Sequence, residues 1–471
     1  MAGNKAKSLI KNIFIFGAGT FLTKLVQFAL LPLYTIYLTA DSYATGELLN
    51  NFSELLYPIL TLNIFEAVFR FSMSEKYEGK DLLSIGMQIT LIGLFCFAVG
   101  DLIFFFVTKD MIALAFLGML AVYLFRLLFA FYARGAGFTK EFAISGIVNA
   151  LFLGLFSWIF IVLLDMGAPG YVLALGCGYG FSCLYLLFSC KIIGNINVFK
   201  RYDAKLSSEM IKYSWPLIGY NTAFWISAMS GRYVLAFFCG AFAAGIFLAV
   251  SKLAAVINMV QQVFFYAFQI NSVQEYESDR DEKYLSRTYW AFSGGLLAFC
   301  SGLMCIMPLL GPLVLRGEFS TATIYLPLTL FAAFIDCLFC YFKTFYTAFK
   351  ETKRAMTSTV VGAVCNIVLS IALVPFFEIW GVLTALVISN AVMAAIRVYD
   401  TGRFITIDMR WKTNLPALII VGLQTLVLSL QIPYAEFITF ALFVALIAFF
   451  IVSYRRTLKR LSRAARDRFA N

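Results

Sequence analysis

The sequence predicts an all-α protein that crosses a membrane about fourteen times. Of its 471 residues, 61% are hydrophobic and only 13% are charged, whereas about a quarter of the residues in a soluble domain are charged. The apolar residues recur in blocks of about 20, which is enough for a helix to cross ~30 Å of hydrocarbon. A β-barrel would alternate polar and apolar residues, and blocks such as Leu91–Val107 and Phe437–Val452 do not alternate. The predicted fold class is therefore a polytopic helical membrane protein.

The apolar blocks define the predicted spans. Their limits are roughly 10–38, 43–69, 82–107, 111–132, 142–164, 170–190, 213–238, 243–270, 288–310, 321–345, 356–376, 380–399, 415–431 and 435–453. The first block continues to Leu38, which is longer than the apolar core of a signal peptide, so we predict a permanent first span.

The basic residues orient these spans. With the N-terminus on the cytoplasmic side, the outside loops contain only Lys109 and Arg316, and four further cations lie in the interior of spans. The rest of the 37 Lys and Arg fall in cytoplasmic segments or near the cytoplasmic ends of spans. Because cytoplasmic loops are enriched in Lys and Arg, this distribution predicts that both termini are cytoplasmic. The net charge of +11 then indicates topology and contact with anionic lipid headgroups, rather than nucleic-acid binding.

Composition also argues against several kinds of chemistry. The chain has no histidine, and its cysteines lie mostly within apolar blocks, where they are expected to be small buried hydrophobic residues. Every predicted loop is too short to fold as a catalytic domain. We therefore predict no catalytic residues, no metal site and no cofactor, and a transporter rather than an enzyme.

Weak internal similarity divides the chain into two halves. The matching segments are Gly170–Leu175 with Gly381–Leu386, Tyr43–Gly46 with Phe242–Gly245, and Thr139–Asn149 with Thr352–Asn366. Spans 1 and 7 both begin on the cytoplasmic side, so the predicted repeat is parallel, a transporter layout with its site between the halves. The predicted parts are a six-helix lobe at 1–205, a second six-helix lobe at 206–402, two additional helices at 403–454 and a basic cytoplasmic tail at 455–471.

Ionisable residues within spans are functional candidates, because each costs several kcal/mol in lipid unless it faces water or a partner. Polar residues also recur at helical spacing on spans 1, 2, 7 and 8, and on span 2 they form a stripe that includes Glu47, Asn51 and Glu54. This pattern predicts a net-positive polar cavity between the halves. Two interpretations remain open at this point, since Lys24 with Glu54, or Arg232 with Asp336, would also suit buried ion pairs. The predicted substrate-binding residues are Lys24, Asn51, Arg126, Trp225, Arg232, Lys252 and Gln262. The predicted ion-coupling residues are Glu54 and Asp336.

Several motifs resemble those of bacterial polysaccharide-repeat-unit flippases, a family of the multidrug/oligosaccharidyl-lipid/polysaccharide exporter superfamily. The similar segments are Gly17–Thr20, Pro32–Thr35, Tyr43–Gly46, Pro58–Leu62, Glu66–Phe71, Gly231–Leu235, Lys252-Leu253 and Phe349–Lys353 followed by Asn366. One departure stands out: in that family an acid commonly precedes the span 7 arginine, and here that position is Gly231.

The resemblance implies two six-helix lobes and alternating access in the bacterial cytoplasmic membrane. It also implies a substrate, an undecaprenyl-pyrophosphate-linked oligosaccharide used for surface polysaccharide. Expected partners are that lipid-linked substrate, membrane lipids, and polysaccharide polymerases and glycosyltransferases, with no nucleic acid. The alternatives are a multidrug or cation antiporter of the same superfamily, a lipid II flippase, and, less favoured because the outer loops are short, a membrane-embedded polymerase or glycosyltransferase.

Overall fold

The computed structural model describes residues 24–74, 76–192, 204–278, 282–348 and 352–469. These ranges are almost entirely helical and contain no β-strand, so the predicted fold class is confirmed. Residues 24–29 are also helical and precede α1. The helices are α1 (Leu31–Tyr37), α2 (Ala40–Leu60), α3 (Ile64–Ser72), α4 (Gly79–Thr108), α5 (Met111–Gly135), α6 (Thr139–Ser157), α7 (Gly167–Ser189), α8 (Ala204–Ser278), α9 (Glu282–Val314), α10 (Leu326–Ala348), α11 (Thr352–Thr401), α12 (Trp411–Ser429) and α13 (Ala435–Phe469).

Within the described ranges, ten helices are long and apolar enough to cross a membrane, and the bent pair of α2 and α3 brings the number to eleven. Two of the ten contain two predicted spans each, because α8 is broken at Gly240 and α11 at Glu378. The first predicted span begins before the described residues. Apart from the bent pair, the two helices that contain two predicted spans each, and the incomplete first span, the described helices follow the spans predicted from hydropathy.

Span 2 differs from its predicted form, because it is not one continuous helix. Pro58 has no N–H for the helical hydrogen-bond ladder, and α2 ends two residues later, at Leu60. Leu62 and Asn63 then take left-handed backbone conformations with φ of 51° and 54°, and α3 continues at an angle of 72°. The predicted span at 43–69 therefore consists of two helices with a break at residues 61–63, rather than one continuous helix.

Large apolar side chains cover the outer surfaces of several helices. On α4, the side chains of Ile92, Phe95 and Phe106 are 65%, 70% and 64% exposed. A soluble protein rarely leaves so continuous an apolar surface uncovered. A multi-pass membrane protein requires such a surface, because these side chains face lipid.

The chain forms two compact units, Met1–Leu248 and Ala249–Asn471. In the first unit, α7 packs against α2, α5 and α6, and α5 also packs against α3 and α4. In the second unit, α10 packs against α9, α11 and α12, while α13 packs against α9 and α12. The predicted lobe limits at 205 and 402 stay a prediction.

One pair of repeated segments has the same local environment in both units. A Cβ atom at Gly170 would lie 3.1 Å from the carbonyl oxygen of Phe160, and a Cβ atom at Gly381 would lie 2.7 Å from the carbonyl oxygen of Leu373. Each glycine therefore allows the start of one span to approach the end of the preceding span closely. This likeness supports the internal repeat.

Candidate functional site

The polar stripe predicted on span 2 lies on α2, in the first unit. Glu47 and Asn51 are buried, at 3% and 5% exposure, whereas Asn50 is half-buried and Glu54 is exposed. Nearer the break, the hydroxyl of Thr61 donates to the carbonyl oxygen of Tyr57. The stripe therefore has a part packed inside the protein and a part that reaches its surface.

Three tyrosines surround the buried carboxylate of Glu47. The hydroxyl of Tyr171, on α7, donates to Glu47 Oε1 at 2.5 Å. The rings of Tyr34 and Tyr171 meet edge to face, with centroids 4.8 Å apart, and the ring of Tyr43 lies 5.9 Å from that of Tyr171. A side chain at Gly46 would overlap the Tyr171 ring, so this close packing depends on the glycine.

Arg126 belongs to a second polar cluster in the same unit. Its Nε donates to the hydroxyl of Ser182 at 3.1 Å, and its guanidinium lies 5.4 Å from the ring centre of Tyr179. The hydroxyl of Tyr179 donates to Asn50 Oδ1 at 2.7 Å, and Ser182 donates to the carbonyl oxygen of Ser145. Arg126 therefore joins α5 to α7 and, through Tyr179, to the stripe on α2.

The first part of α8 brings its predicted polar face against α2. Asn221 Nδ2 donates to the hydroxyl of Tyr57 and to Asn63 Oδ1, both at 3.2 Å. The indole N–H of Trp225 donates to the carbonyl oxygen of Asn51 at 2.8 Å. Two predicted substrate-binding residues, Asn51 and Trp225, are thus in direct contact.

A further tyrosine extends this contact along α8. Tyr233 donates to the carbonyl oxygen of Leu48 at 2.8 Å, and its ring lies 5.1 Å from that of Trp225. The polar faces of the two helices therefore meet over several turns.

Arg232 lies at the same contact between α2 and α8. One of its terminal nitrogens donates to the sulfur of Met229 at 2.8 Å, and its charge interacts with the carboxylates of Glu47 and Glu54. The residue before it, Gly231, is buried. Position 231 therefore carries no acid, and the acids whose charge acts on Arg232 belong to α2.

The second unit contains the other predicted site residues on its own helices. Lys252 and Gln262 are half-buried on the later part of α8, where Asn258 Oδ1 accepts a hydrogen bond from Cys337 at 2.9 Å. Asp336, on α10, is half-buried. In the first unit, Lys24 is half-buried on the turns before α1.

Arg397 is a buried cation that the sequence analysis missed. It lies near the cytoplasmic end of the predicted span 380–399, yet it is only 4% exposed. Its guanidinium donates to the hydroxyls of Ser358 at 3.4 Å and Thr359 at 3.2 Å, and it interacts with the charge of Asp336. Its position two residues inside the predicted end of span 12 was the available signal.

The described ranges contain no group of three or more His, Cys, Asp or Glu side chains arranged to hold a metal ion. The polar groups at the contact between α2 and α8 are instead a guanidinium, two carboxylates, amides and phenol hydroxyls. Such groups suit the binding of an anion and the exchange of a proton.

Comparison with solved structures relates this arrangement of helices to known transporters. The lipid II flippase MurJ, in an inward closed conformation, matches with a TM-score of 0.67 and 14% identity, over 94% of this chain and 100% of that chain. An inward-facing multidrug resistance MATE family transporter of the MOP superfamily matches with a TM-score of 0.56 and 13% identity, over 84% and 94% of the two chains.

A further match is a MOP superfamily transporter from Pyrococcus furiosus, described by the reverse polarity of its binding pocket, at a TM-score of 0.56 and 13% identity, over 84% and 95% of the chains. The chain has the fold of these transporters. No protein-family model and no curated protein sequence matches it.

Proposed function

We propose that this protein is a flippase that moves an undecaprenyl-pyrophosphate-linked oligosaccharide across the bacterial cytoplasmic membrane by alternating access, for surface polysaccharide synthesis. The polar headgroup would pass through the protein while the polyprenyl chain stays in lipid. The observation that carries this proposal is Arg232, a cation held among polar side chains of α2 and α8 inside a protein whose outer surface is apolar. A pyrophosphate is the kind of anion that a guanidinium binds through paired hydrogen bonds.

The other predicted residues receive roles in the same proposal. Lys24, Arg126 and Lys252 would bind phosphate or acidic sugar, while Asn51, Trp225 and Gln262 would contact the sugar. Aromatic side chains such as Trp225 suit this role, because they offer a flat apolar face and a polar edge. Glu54 and Asp336 remain predicted ion-coupling residues.

The extent of the structural similarity favours a flippase over a drug antiporter. MurJ is covered along its whole length and accounts for 94% of this chain, whereas the MATE structures account for 84%. MurJ is named for lipid II, so a lipid II flippase is a second candidate that the same observation favours. The two candidates differ in the lipid-linked sugar that would accumulate when the protein is lost.

A multidrug cation antiporter is a third candidate, and the carboxylates of Glu47 and Glu54 are the observation in its favour. A cationic drug would bind these acids, whereas the proposed pyrophosphate would bind Arg232. Drug susceptibility of a strain that lacks the protein therefore separates this candidate from the two flippases.

The test is export of surface polysaccharide by a strain in which the chromosomal copy is replaced by a double variant, Arg232→Ala with Lys252→Ala. We expect export to fall at least tenfold and the lipid-linked oligosaccharide to accumulate on the cytoplasmic side. The control is Arg70→Ala with Lys80→Ala, which removes two exposed cations and should leave export unchanged. Normal export by the inserted Arg232/Lys252 variant would overturn the proposal.

A further inference from the structure

The linker between α11 and α12, residues 402–410, is bonded to the start of α9. The backbone N–H of Thr406 donates to Glu282 Oε1 at 3.1 Å, and the backbone N–H of Asp408 donates to the hydroxyl of Ser286 at 3.0 Å. Glu282 and Ser286 are four residues apart on α9 and therefore share one face of that helix. The linker thus follows the first turns of α9 instead of leaving the protein as a free loop.

The next turn of α9 fixes the end of the linker through Trp290. The indole N–H of Trp290 donates to the carbonyl oxygen of Asp408 at 2.5 Å, and the guanidinium of Arg410 lies over its ring, 3.5 Å from the ring centre. One turn further, Asn414 Nδ2 on α12 donates to the hydroxyl of Ser293 at 3.3 Å. The start of α12 is therefore held against α9 by successive contacts along both helices.

This arrangement brings together cations from two distant parts of the chain. Arg287 is three residues before Trp290 on α9, a spacing that makes two residues neighbours on a helix surface, and Lys412 is two residues after Arg410. The side chains of Arg287 and Lys412 are exposed. Within the described ranges, neither of them makes a hydrogen bond or an ion pair. Arg287, Arg410 and Lys412 together form a basic patch where α9 meets α12.

Two acids lie beside the basic patch, and both bind the backbone of the linker. Glu282 accepts from the N–H of Thr406, and Asp408 Oδ1 accepts from the backbone N–H of Arg410 at 2.9 Å. These two carboxylates hold the linker in place, and the three cations outnumber them. The patch is therefore a positively charged surface that the fold keeps in a fixed form.

The basic patch lies where α12 enters the apolar part of the membrane. Trp411 is 60% exposed, and Leu415 and Ile419, on the following turns, are 48% and 54% exposed. An exposed tryptophan at the end of a membrane helix is typical of the interface between lipid and water. The predicted orientation puts this end of α12 on the cytoplasmic side, where anionic lipids attract Lys and Arg.

We propose that the basic patch binds the headgroup of an anionic phospholipid, whose acyl chains lie along the exposed apolar side chains of α12. Arg287 and Lys412 bind the lipid phosphate, one from each helix, so that the lipid joins α12 to α9. The rings of Trp290 and Trp411 offer an apolar face and a polar N–H to the region between headgroup and chains. This site lies within the second unit, and its occupation does not depend on which substrate the protein transports.

The experiment is native mass spectrometry of the purified full-length protein in detergent, titrated with phosphatidylglycerol. The proteins compared are the wild type, Arg287→Ala with Lys412→Ala, and the control Arg70→Ala with Lys140→Ala. The control also removes one exposed arginine and one exposed lysine, but from the first unit. Parallel titrations use phosphatidylethanolamine, which has no net charge, and inorganic phosphate as a soluble competitor.

We expect the Arg287/Lys412 variant to bind phosphatidylglycerol about thirtyfold more weakly than the wild type, because each cation near anionic lipid contributes a factor of about five. The control should bind like the wild type, and the wild type should bind phosphatidylethanolamine more weakly. Equal binding of phosphatidylglycerol by the wild type and the Arg287/Lys412 variant would overturn the proposal, as would equal binding of the two lipids by the wild type. Displacement of the bound lipid by inorganic phosphate would assign the patch to a soluble anion and so overturn the lipid as its ligand.

Arg287→Lys with Lys412→Arg separates the loss of charge from a loss of folding. This variant exchanges the two side chains but keeps both positive charges at the patch. We expect it to bind phosphatidylglycerol like the wild type. Loss of binding in a folded Arg287→Lys/Lys412→Arg protein would contradict recognition of the lipid by charge.

Discussion

In each unit an arginine joins three helices, and the predicted repeat makes the two sets of helices equivalent. The arginine lies on a different helix in each set. In the first unit, Arg126 on α5 reaches Ser182 on α7, which bonds to the backbone of α6. In the second unit, Arg397 in the later part of α11 reaches Ser358 and Thr359 in the earlier part, and Asp336 on α10 lies within its field.

The difference concerns how each charge is compensated. Arg397 is almost fully buried and interacts with a carboxylate and two hydroxyls. Arg126 is half-buried and lies over the Tyr179 ring, bonded to one hydroxyl. The predicted repeat thus has a polar junction at equivalent places with different chemistry, and we expect the second junction to serve mainly stability and the first mainly transport.

The largest expected effect is that of Arg397→Met. Removing the guanidinium loses its hydrogen bonds to the hydroxyls of Ser358 and Thr359 and its favourable interaction with the charge of Asp336, and hydrogen bonds to charged groups contribute about 1.5–3 kcal/mol each. Thermal unfolding in detergent should show a large loss of stability, partly recovered when Asp336→Asn is added. A double variant that is less stable than the single one would contradict this explanation.

Arg126→Met should have a smaller effect on stability and a clear effect on transport. The lost hydrogen bond and the lost contact with the Tyr179 ring together account for about 1–3 kcal/mol. The same unfolding assay gives the stability, and surface polysaccharide export gives the function. If Arg126→Met destabilised the protein as much as Arg397→Met, the contrast between the two junctions would be wrong.

Ser182→Ala sharpens the same contrast through a double-mutant cycle with Arg126→Met. Side-chain hydrogen bonds between membrane helices contribute about 0.6 kcal/mol on average. We expect the effects of the two substitutions to fall short of additivity by about that amount, because they share one hydrogen bond. Full additivity in thermal unfolding would show that the bond contributes nothing.

The smallest effects should come from ion pairs at the surface of each unit. Glu78 and Lys80, 2.6 Å apart, have side chains that are 66% and 52% exposed, whereas Arg354 and Asp400, 3.5 Å apart, are 36% and 16% exposed. Exposed pairs contribute about 0–1 kcal/mol. Lys80→Ala should therefore be close to neutral and Arg354→Ala slightly destabilising, since Asp400 also accepts from Tyr346. The reverse order in thermal unfolding would contradict this reasoning.

Hydropathy predicted most of the fold, because a helix that crosses lipid must be long and apolar. It did not predict the break after α2, since Pro58 is also compatible with a kinked but continuous helix, and the left-handed pair Leu62 and Asn63 has no glycine to mark it. Nor did it find Arg397, because a cation near the end of a span has the same sequence pattern whether it reaches water or is buried.

The candidate site shows a similar division. Helical spacing grouped Glu47, Asn51 and Glu54 on one stripe. Polar helix faces pack together away from lipid, so the contact of Asn51 with Trp225 agrees with the predicted polar faces of spans 2 and 7. The separate environments of Glu47 and Glu54 depend on Tyr34 and Tyr171, which are distant in the sequence. Such long-range packing has no local pattern from which it could be read.

The break between α2 and α3 has a mechanical consequence. A continuous helix transmits a twist along its whole length, because each turn is bonded to the next. At residues 61–63 this ladder is interrupted, and Asn221 bonds to Asn63 at the joint and to Tyr57 just before it. If α2, which carries Glu47 and Glu54, rotates, the change can therefore be taken up by a few backbone dihedral angles at residues 61–63. The short α3 can then stay packed against α5 while α2 moves.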